Sequence, residues 1–185
     1  MPRSVKEKIE KLKQQSGLLF NSRFLKPLST LERYEFLQLC HRRKYHEGEY
    51  IYYQNDPGTG IYFIESGRIQ LIVGRQNLND EEGGLTYDLS PPESFGSLSL
   101  GYDLRRLSSA RCLSDAVLLG FFKPDFVTLK KRHPKIAVKF LETLSEISMK
   151  QLEVTTHKLI EETDLQTAFS IHFSTYYSDE EQENV

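Results

Sequence analysis

Cysteine is scarce in this sequence, with only Cys40 and Cys112 among 185 residues. The two lie far apart, and neither has a partner at the spacing of a metal-binding motif. We therefore interpret both as reduced, buried residues that pack as small hydrophobic side chains. The five histidines are scattered, and residues 80–82 lack the alternating ligands and the glycine of a calcium loop, so no metal site is expected.

Long apolar runs are absent as well. No stretch approaches the roughly 20 consecutive apolar residues that cross a bilayer. The first 20 residues are rich in lysine and lack the hydrophobic centre of a signal peptide. The sequence therefore predicts a cytoplasmic protein without membrane insertion, and its composition is ordinary for one globular domain with terminal elements.

Positive charge is lacking in the last part of the chain. Residues 140–185 have 2 Lys or Arg against 10 Asp or Glu, whereas residues 1–48 have 11 against 5. A nucleic-acid-binding domain needs a basic surface that neutralises phosphates. With an acidic C-terminal segment and only 22 residues after Thr163, no nucleic-acid partner is expected.

Catalytic arrangements are missing too. No serine or cysteine lies in a recognisable nucleophile turn, and no pair of carboxylates is arranged as a general acid and a general base. We therefore predict that the protein is not an enzyme and has no cofactor.

Helix signals precede the first strand signals. Val5, Ile9 and Leu12 form a narrow apolar stripe that predicts a surface helix within residues 4–15. A capping-box sequence at residues 27–32 begins a second helix, which we expect to end at the basic run of residues 41–44 because cations suit a helix C-terminus. Binding of DNA or a membrane by this run is the alternative to a solvated helix end.

From residue 45 to residue 122, β-branched and aromatic segments alternate with turn sequences, which predicts a meander of short antiparallel strands. A polar stretch at 74–84 is expected to be a loop, and Pro124 begins a short helix that ends near Arg132.

A last long helix is predicted from about residue 135 to residue 162. Its seam recurs at alternating three and four residues, namely Ala137, Phe140, Leu144, Ile147, Gln151 and Val154. We expect the first turns to pack on the strands and residues 145–160 to pair with a second copy of the chain.

The stretch of residues 91–111 is the best candidate for holding a charged small molecule. Gly96 ends an extended segment and lets the backbone pass close to a ligand. Residues 97–100 can start a short helix whose first amides are unpaired and suit an anion. Arg106 offers the fork geometry that a phosphate accepts. The alternatives are an Arg106 paired with an acidic surface neighbour and a Ser97 that only starts a helix.

These residues resemble the phosphate-binding cassette of the cyclic-nucleotide-binding domain family, where Phe-Gly-Glu-Leu-Ala-Leu precedes an arginine and a small residue. The matching positions hold Phe95, Gly96, Leu98, Ser99, Leu100 and Arg106. Ser97 replaces the glutamate that accepts the ribose 2′-hydroxyl in the family, and Leu107 replaces a small residue beside the phosphate. Glycines and turns between residues 46 and 67 resemble the first half of the family's β-roll, so the resemblance covers about residues 24–144.

The resemblance implies a mainly β fold with flanking helices (α+β). This fold is an eight-stranded antiparallel β-roll, similar to a jelly roll, with N-terminal helices and a long C-terminal helix. The implied ligand-binding residues are Phe95, Gly96, Ser97, Leu98, Ser99, Arg106, Leu107 and Ser108. The implied function is that of a regulatory module that senses cyclic AMP or cyclic GMP and passes the signal to a partner protein. The alternative is a degenerate fold that binds no nucleotide and serves in protein interaction or dimerisation.

Three parts of the chain are therefore predicted. Residues 1–23 form an N-terminal helix and linker, residues 24–163 form the domain with its long helix, and residues 164–185 form an acidic tail. The expected partners are a cyclic nucleotide, a second copy bound through the C-terminal helix, and a separate protein that receives the signal.

Overall fold

The computed structural model describes residues 21–74, 84–100 and 103–177, and the chain divides into two compact units between Leu144 and Ser145. The predictions of a helix within residues 4–15 and of an acidic tail at 179–183 lie outside the described residues, as does most of the predicted loop at 74–84. In the described part of the chain, no helix is long and apolar enough to span a membrane.

In the described residues of the first unit, eight antiparallel strands form two sheets of four. They are β1 (His41–Tyr45), β2 (Tyr50–Tyr52), β3 (Gly60–Ser66), β4 (Ile69–Val73), β5 (Leu85–Leu89), β6 (Ser94–Phe95), β7 (Ser109–Cys112) and β8 (Ala116–Phe122). The first sheet has the order β1-β8-β3-β6 and the second has the order β2-β7-β4-β5. Consecutive strands lie in different sheets except for β4 and β5, which pair with each other in the second sheet. The predicted eight-stranded antiparallel roll is confirmed.

The part of the chain that the structure describes has four α-helices besides the strands, namely α1 (Thr30–Leu37), α2 (Lys123–Arg132), α3 (Pro134–Glu162) and α4 (Leu165–Tyr177). The long C-terminal helix predicted for residues 135–162 is therefore present, as is the short helix before it. A short 3₁₀ helix, Ser97–Leu100, follows β6 and is named the cassette helix below.

The central strands β3 and β8 are apolar at nearly every position because both faces of the first sheet are covered. On one face, Phe121 contacts Phe36 of α1 and Phe140 of α3 at ring-centroid distances of 4.6 and 5.6 Å. On the other face, Tyr62 and Ile64 belong to the core between the two sheets. Burying a side chain of this size contributes about 1.5–3 kcal/mol. The first turns of α3 thus pack on the strands, as expected.

The prediction that the second helix ends at the basic run 41–44 is wrong. Helix α1 ends at Leu37, and the basic run forms β1, which pairs along its length with β8. Arg42 Nε lies 2.7 Å from Glu65 Oε2, and His41 Nε2 lies 3.0 Å from Asp125 Oδ1. Strand pairing and these side-chain contacts outweigh the local preference for a helix end, which is a weak determinant.

The second unit contains the end of α3, from Ser145, and α4. Residues 163 and 164 separate the two helices. The Oδ1 of Asp164 accepts a hydrogen bond from the Thr167 backbone N–H at 2.9 Å and caps the N-terminus of α4. Ala168 is buried, and with Leu152 and Leu159 it lines a groove of about 340 Å³ between the two helices. The sequence interpretation did not include α4, since it treated residues 164–185 as a tail.

Both cysteines are free, as the interpretation of the sequence expected, but Cys40 is only partly buried. Cys112 is buried between the sheets, and this burial raises the pKa of its thiol to about 11. Such a thiol is protonated at neutral pH and packs as a small apolar side chain.

Candidate functional site

The candidate site begins where β6 ends. Gly96 has φ of +79°, the left-handed region that a residue with a Cβ avoids. A Cβ placed there would overlap Arg106 Nη1 and would lie 3.0 Å from the Gly60 carbonyl oxygen. Glycine is therefore required for two reasons, because the backbone turns sharply and because an arginine side chain passes directly beside it.

Arg106 lies beneath this turn and is only 5% exposed. Its Nη1 donates to the Ser99 Oγ at 2.9 Å and to the Gly96 carbonyl at 3.3 Å, while Nη2 donates to the Gly60 carbonyl at 3.0 Å. The guanidinium thus connects the cassette helix to β3. Its Nε is buried and makes no hydrogen bond to any described residue.

Backbone contacts fix the same arginine. The Arg106 N–H donates to the Asp56 carbonyl at 2.9 Å, and the Asn55 N–H donates to the Arg106 carbonyl at 2.8 Å. Neighbouring Arg105 is exposed and donates from Nη1 to the Asn55 carbonyl at 2.8 Å. Arg105 therefore lies at the surface and Arg106 in the interior. The alternative in which Arg106 forms a surface ion pair is not what the structure shows.

Aromatic rings form the other side of the Arg106 environment. The guanidinium carbon lies 4.4 Å from the ring centroid of Tyr52 and 5.9 Å from that of Tyr62. Burial raises the pKa of both phenols above the ordinary value of 10.0, and the charge of Arg106 opposes this rise. Both tyrosines are consequently neutral at physiological pH, and their rings stabilise the cation through cation–π interaction.

The remaining predicted site residues lie around this centre. Phe95 is buried and stacks on Tyr62 at a centroid distance of 5.4 Å. Ser97 and Ser108 are half-buried, Leu107 is 69% exposed, and the Leu98 side chain lies outside the described part of the structure. Phe95, Gly96, Ser99 and Arg106 are therefore brought together, and the role of each predicted residue in binding a ligand stays a prediction.

Three groups at this centre were not identified from the sequence. They are the rings of Tyr52 and Tyr62 and the Gly60 carbonyl, which face the guanidinium from β2 and β3. A tyrosine in an alternating strand gives no local signal of an arginine more than forty residues away. For Gly60 the sequence does contain a signal, namely the glycine itself, because a Cβ at this position would overlap the backbone of β8.

Within residues 21–74, 84–100 and 103–177, no group of three His, Cys, Asp or Glu side chains is arranged to hold a metal ion. The chemistry of the site is that of one buried cation surrounded by neutral hydrogen-bond acceptors and aromatic rings.

The eight-stranded roll thus carries a short helix between β6 and β7, next to a buried arginine. Residues 42–133 match the model of the cyclic nucleotide-binding domain, and the chain belongs to this family. The resemblance inferred from the cassette and the glycine turns is thereby confirmed.

Individual relatives agree with this assignment. A cyclic AMP receptor protein from Thermus thermophilus is 37% identical over 101 residues, which are 55% of this chain and 45% of that protein. The crystal structure of the Thermus thermophilus catabolite activator protein has a TM-score of 0.60 at 30% identity, covering 74% of this chain and 62% of that chain. The chain therefore spans less than half of the length of the first of these relatives.

A third relative bears on the expected partners. The HTH-type transcriptional regulator ArcR from Staphylococcus epidermidis is 28% identical over 118 residues, 64% of this chain and 50% of that protein. Helix-turn-helix proteins bind DNA. The similarity to a regulator of this kind conflicts with the expectation that nucleic acid is excluded as a partner, and that expectation is not maintained.

Proposed function

We propose that this chain is a regulatory module that binds cyclic AMP or cyclic GMP through the cassette, with the ligand's phosphate at Arg106, and that it passes the signal to a partner protein. The observation that supports this proposal is the state of Arg106. Its guanidinium is buried, its Nε makes no hydrogen bond, and it forms no ion pair with a carboxylate of the described residues.

A buried cation without a counter-charge is unfavourable, since removing an ion from water costs several kcal/mol. Cation–π contact with Tyr52 and three hydrogen bonds to neutral acceptors offset part of this cost. A guanidinium has five N–H donors. The Nε–H and one Nη2 N–H share an edge and match two phosphate oxygens, so a phosphate would supply both the missing acceptors and the missing charge.

Ser97 stands where the family pattern has a glutamate, and this difference lowers the affinity for a cyclic nucleotide that we expect. A hydrogen bond to an ionised acceptor is worth about 1.5–3 kcal/mol and one to a neutral acceptor about 0.5–1.5 kcal/mol. Loss of the carboxylate at the ribose position therefore weakens binding by about 1–2 kcal/mol, or about 5- to 30-fold. The phosphate contact remains, so binding is weakened rather than abolished.

Isothermal calorimetry with cyclic AMP and cyclic GMP tests the proposal. Arg106→Ala should remove binding, because the phosphate loses its counter-charge. Arg105→Ala is the matched control, since this arginine is exposed, and its affinity should equal that of the wild type. Ser97→Glu should bind about 5- to 30-fold more tightly than the wild type.

Leu107→Ala should also tighten binding if the side chain narrows the space beside the phosphate. Because the two positions are neighbours in the predicted site, the gains of Ser97→Glu and Leu107→Ala need not add. A double variant that is folded by circular dichroism and gives no heat with either nucleotide at millimolar ligand would refute the receptor function.

A protein-interaction module is the second candidate function, and α4 favours it. Leu165 and Phe169 lie four residues apart on one side of this helix, and Phe169 is 67% exposed. Its ring stacks on that of Phe173 at 6.3 Å, which extends the apolar row by another turn. We propose that this row and the exposed end of α3 associate with a second copy of the chain.

A further inference from the structure

The helical unit, residues 145–177, has an apolar groove that its own two helices leave open. The groove between α3 and α4 has a volume of about 340 Å³, and Leu152, Leu159 and Ile171 line it. Leu152 and Ile171 are 43% and 46% exposed, so the lining of the groove is in contact with water. Contiguous apolar surface of this kind marks an interaction site.

The charge of this unit restricts what can occupy the groove. Residues 145–177 have five Asp or Glu against two Lys, a net charge of −3, and both lysines already form ion pairs with glutamates of α3. Glu162 follows Leu159 by three residues and Asp164 precedes Ala168 by four, so both carboxylates lie near one end of the groove. An occupant that suits this site is apolar on one side and carries cations beside that side.

Residues 4–15 of the chain have this chemistry, because the apolar stripe of their predicted helix is flanked by lysines. Residues 1–15 contain five Lys or Arg against two Glu, a net charge of +3 that is equal and opposite to that of the helical unit. On a helix, Lys8 lies about 60° to one side of Val5 and Lys13 about 80° to the other. Both lysines are thus placed to reach carboxylates beside a groove that takes the stripe.

The stripe and the groove also agree in length. Val5 and Leu12 are seven residues apart, as are Leu152 and Leu159. Seven residues of helix rise by about 10 Å. A helix of about twelve residues is marginal in water unless an apolar surface stabilises it. The groove offers such a surface at the matching length.

We infer that the groove of each copy binds residues 4–15 of a second copy of the chain. The apolar surfaces of the helical unit favour association with a second copy, but this association places two units of charge −3 side by side, which is unfavourable. A segment of charge +3 that crosses from each copy to the groove of the other offsets this repulsion and adds apolar contact. No cassette residue takes part, so the contact does not depend on nucleotide binding.

Carbodiimide cross-linking of the whole chain tests this contact. Equal amounts of unlabelled and isotopically labelled protein are mixed and treated with a carbodiimide, which joins a lysine amine to a carboxylate only where the two are in direct contact. Mass spectrometry of the digested protein then identifies each linked pair and the copies from which its members come. We expect links from lysines within residues 6–13 to Glu162 or Asp164, including links between a labelled and an unlabelled copy.

Two variants and their controls separate docking in the groove from attraction between charges. Ile171→Lys places a cation in the groove and should abolish these links, because an ammonium is unfavourable in an apolar contact and repels the lysines. Gln166→Lys adds the same charge about 140° around α4 from Ile171 and should retain them. Ile9→Ser removes the centre of the stripe without altering α3 or α4, and it should also abolish the links. Gln14→Ser, about 140° around the predicted helix from Ile9, should retain them.

Three results would overturn this inference. Links from residues 6–13 that join residues of one copy only would show that the segment contacts its own chain. Links confined to the acidic residues 179–183, or retained in both Ile171→Lys and Ile9→Ser, would show charge attraction without docking in the groove. Absence of any link to the helical unit in the wild type would leave the groove to a different partner.

Discussion

Gly96 combines a left-handed backbone conformation with a close contact to the Arg106 side chain of the candidate site. It shares a positive φ with Gly74, at +79° and +80°, but the two differ in their surroundings. A Cβ on Gly96 would overlap Arg106, whereas a Cβ on Gly74 would have no atom within 4 Å. Comparing alanine at the two positions therefore separates backbone strain from steric contact.

We expect Gly74→Ala to lower the free energy of unfolding by about 1–2 kcal/mol, the cost of the left-handed conformation. Gly96→Ala should lower it by about 1–3 kcal/mol more, because Arg106 must move. Urea denaturation followed by circular dichroism measures both changes. Equal losses of stability in the two variants would show that a Cβ at position 96 does not displace the Arg106 guanidinium at a cost in free energy.

The sequence was informative at this scale wherever a residue type is required by local geometry. Gly96 and Arg106 were both predicted, since a glycine at a turn and an arginine ten residues later form a pattern within one segment. Tyr52 was missed because its contact with Arg106 depends on the fold of β2 against the cassette. The predicted effect of Leu107 also depends on its surroundings, and its side chain is largely exposed.

Among the elements, α1 and α3 are linked by an ion pair that also involves a helix cap. Lys139 Nζ donates to both carboxylate oxygens of Glu32 at 2.7 Å, and Glu32 Oε2 accepts from the Ser29 backbone N–H at 2.7 Å. These hydrogen bonds, first that of Lys139 and then that of Ser29, lower the pKa of Glu32 from 4.5 to about 2.

A carboxylate with a lowered pKa stabilises the folded state above the unfolded pKa, and this contribution is lost as the pH falls. For Glu32 the loss lies between about pH 4.5 and pH 2. Glu32→Gln keeps the capping geometry and removes the charge. The variant should be less stable by about 0.5–1 kcal/mol at pH 7, since the pair is partly exposed.

The difference in free energy of unfolding between wild type and Glu32→Gln should therefore shrink as the pH is lowered from 5 to 2, as measured by urea titrations at each pH. A difference that stays constant over this range would mean that Lys139 does not stabilise the ionised carboxylate.

The order of strands and helices could largely be predicted because periodicity, turn sequences and caps are local signals. The predicted helix end at residues 41–44 failed because those residues pair with β8, a contact across more than seventy residues. Helix α4 was missed for a different reason. Its apolar residues lie in a segment next to an acidic run, and composition alone favoured a tail.

At the scale of the whole molecule, the described chain separates into a β-roll unit and a helical unit that divide inside α3. The seam predicted for α3 is divided in the same way. Ala137 and Phe140 are buried in the first unit, whereas Val154 is exposed in the second. Of the residues that were expected to pair with a second copy, Val154 is exposed and Ile147 is partly exposed.

Helix α3 has two apolar sides in the second unit. At about 100° per residue, Leu152 lies more than 100° around the helix from Ile147 and Val154. Leu152 lines the groove toward Ala168 of α4. Ile147 and Val154 therefore lie away from α4, and together with the exposed Phe169 row they give the helical unit more apolar surface than α3 and α4 cover between themselves.

We therefore expect the chain to be a dimer at micromolar concentration, with a mass by light scattering of twice the 21.5 kDa of one chain. The Ile147→Glu, Val154→Glu double variant should be monomeric, because association would bury unpaired charge in an apolar contact. Phe169→Glu should also be monomeric if α4 takes part. Ser145→Glu adds the same charge about 160° around α3 from Ile147, and it should remain a dimer.

A monomeric wild type would rule out a second copy as the partner of these surfaces. If the double variant stays dimeric while Phe169→Glu does not, the contact is formed by α4 rather than by the predicted seam.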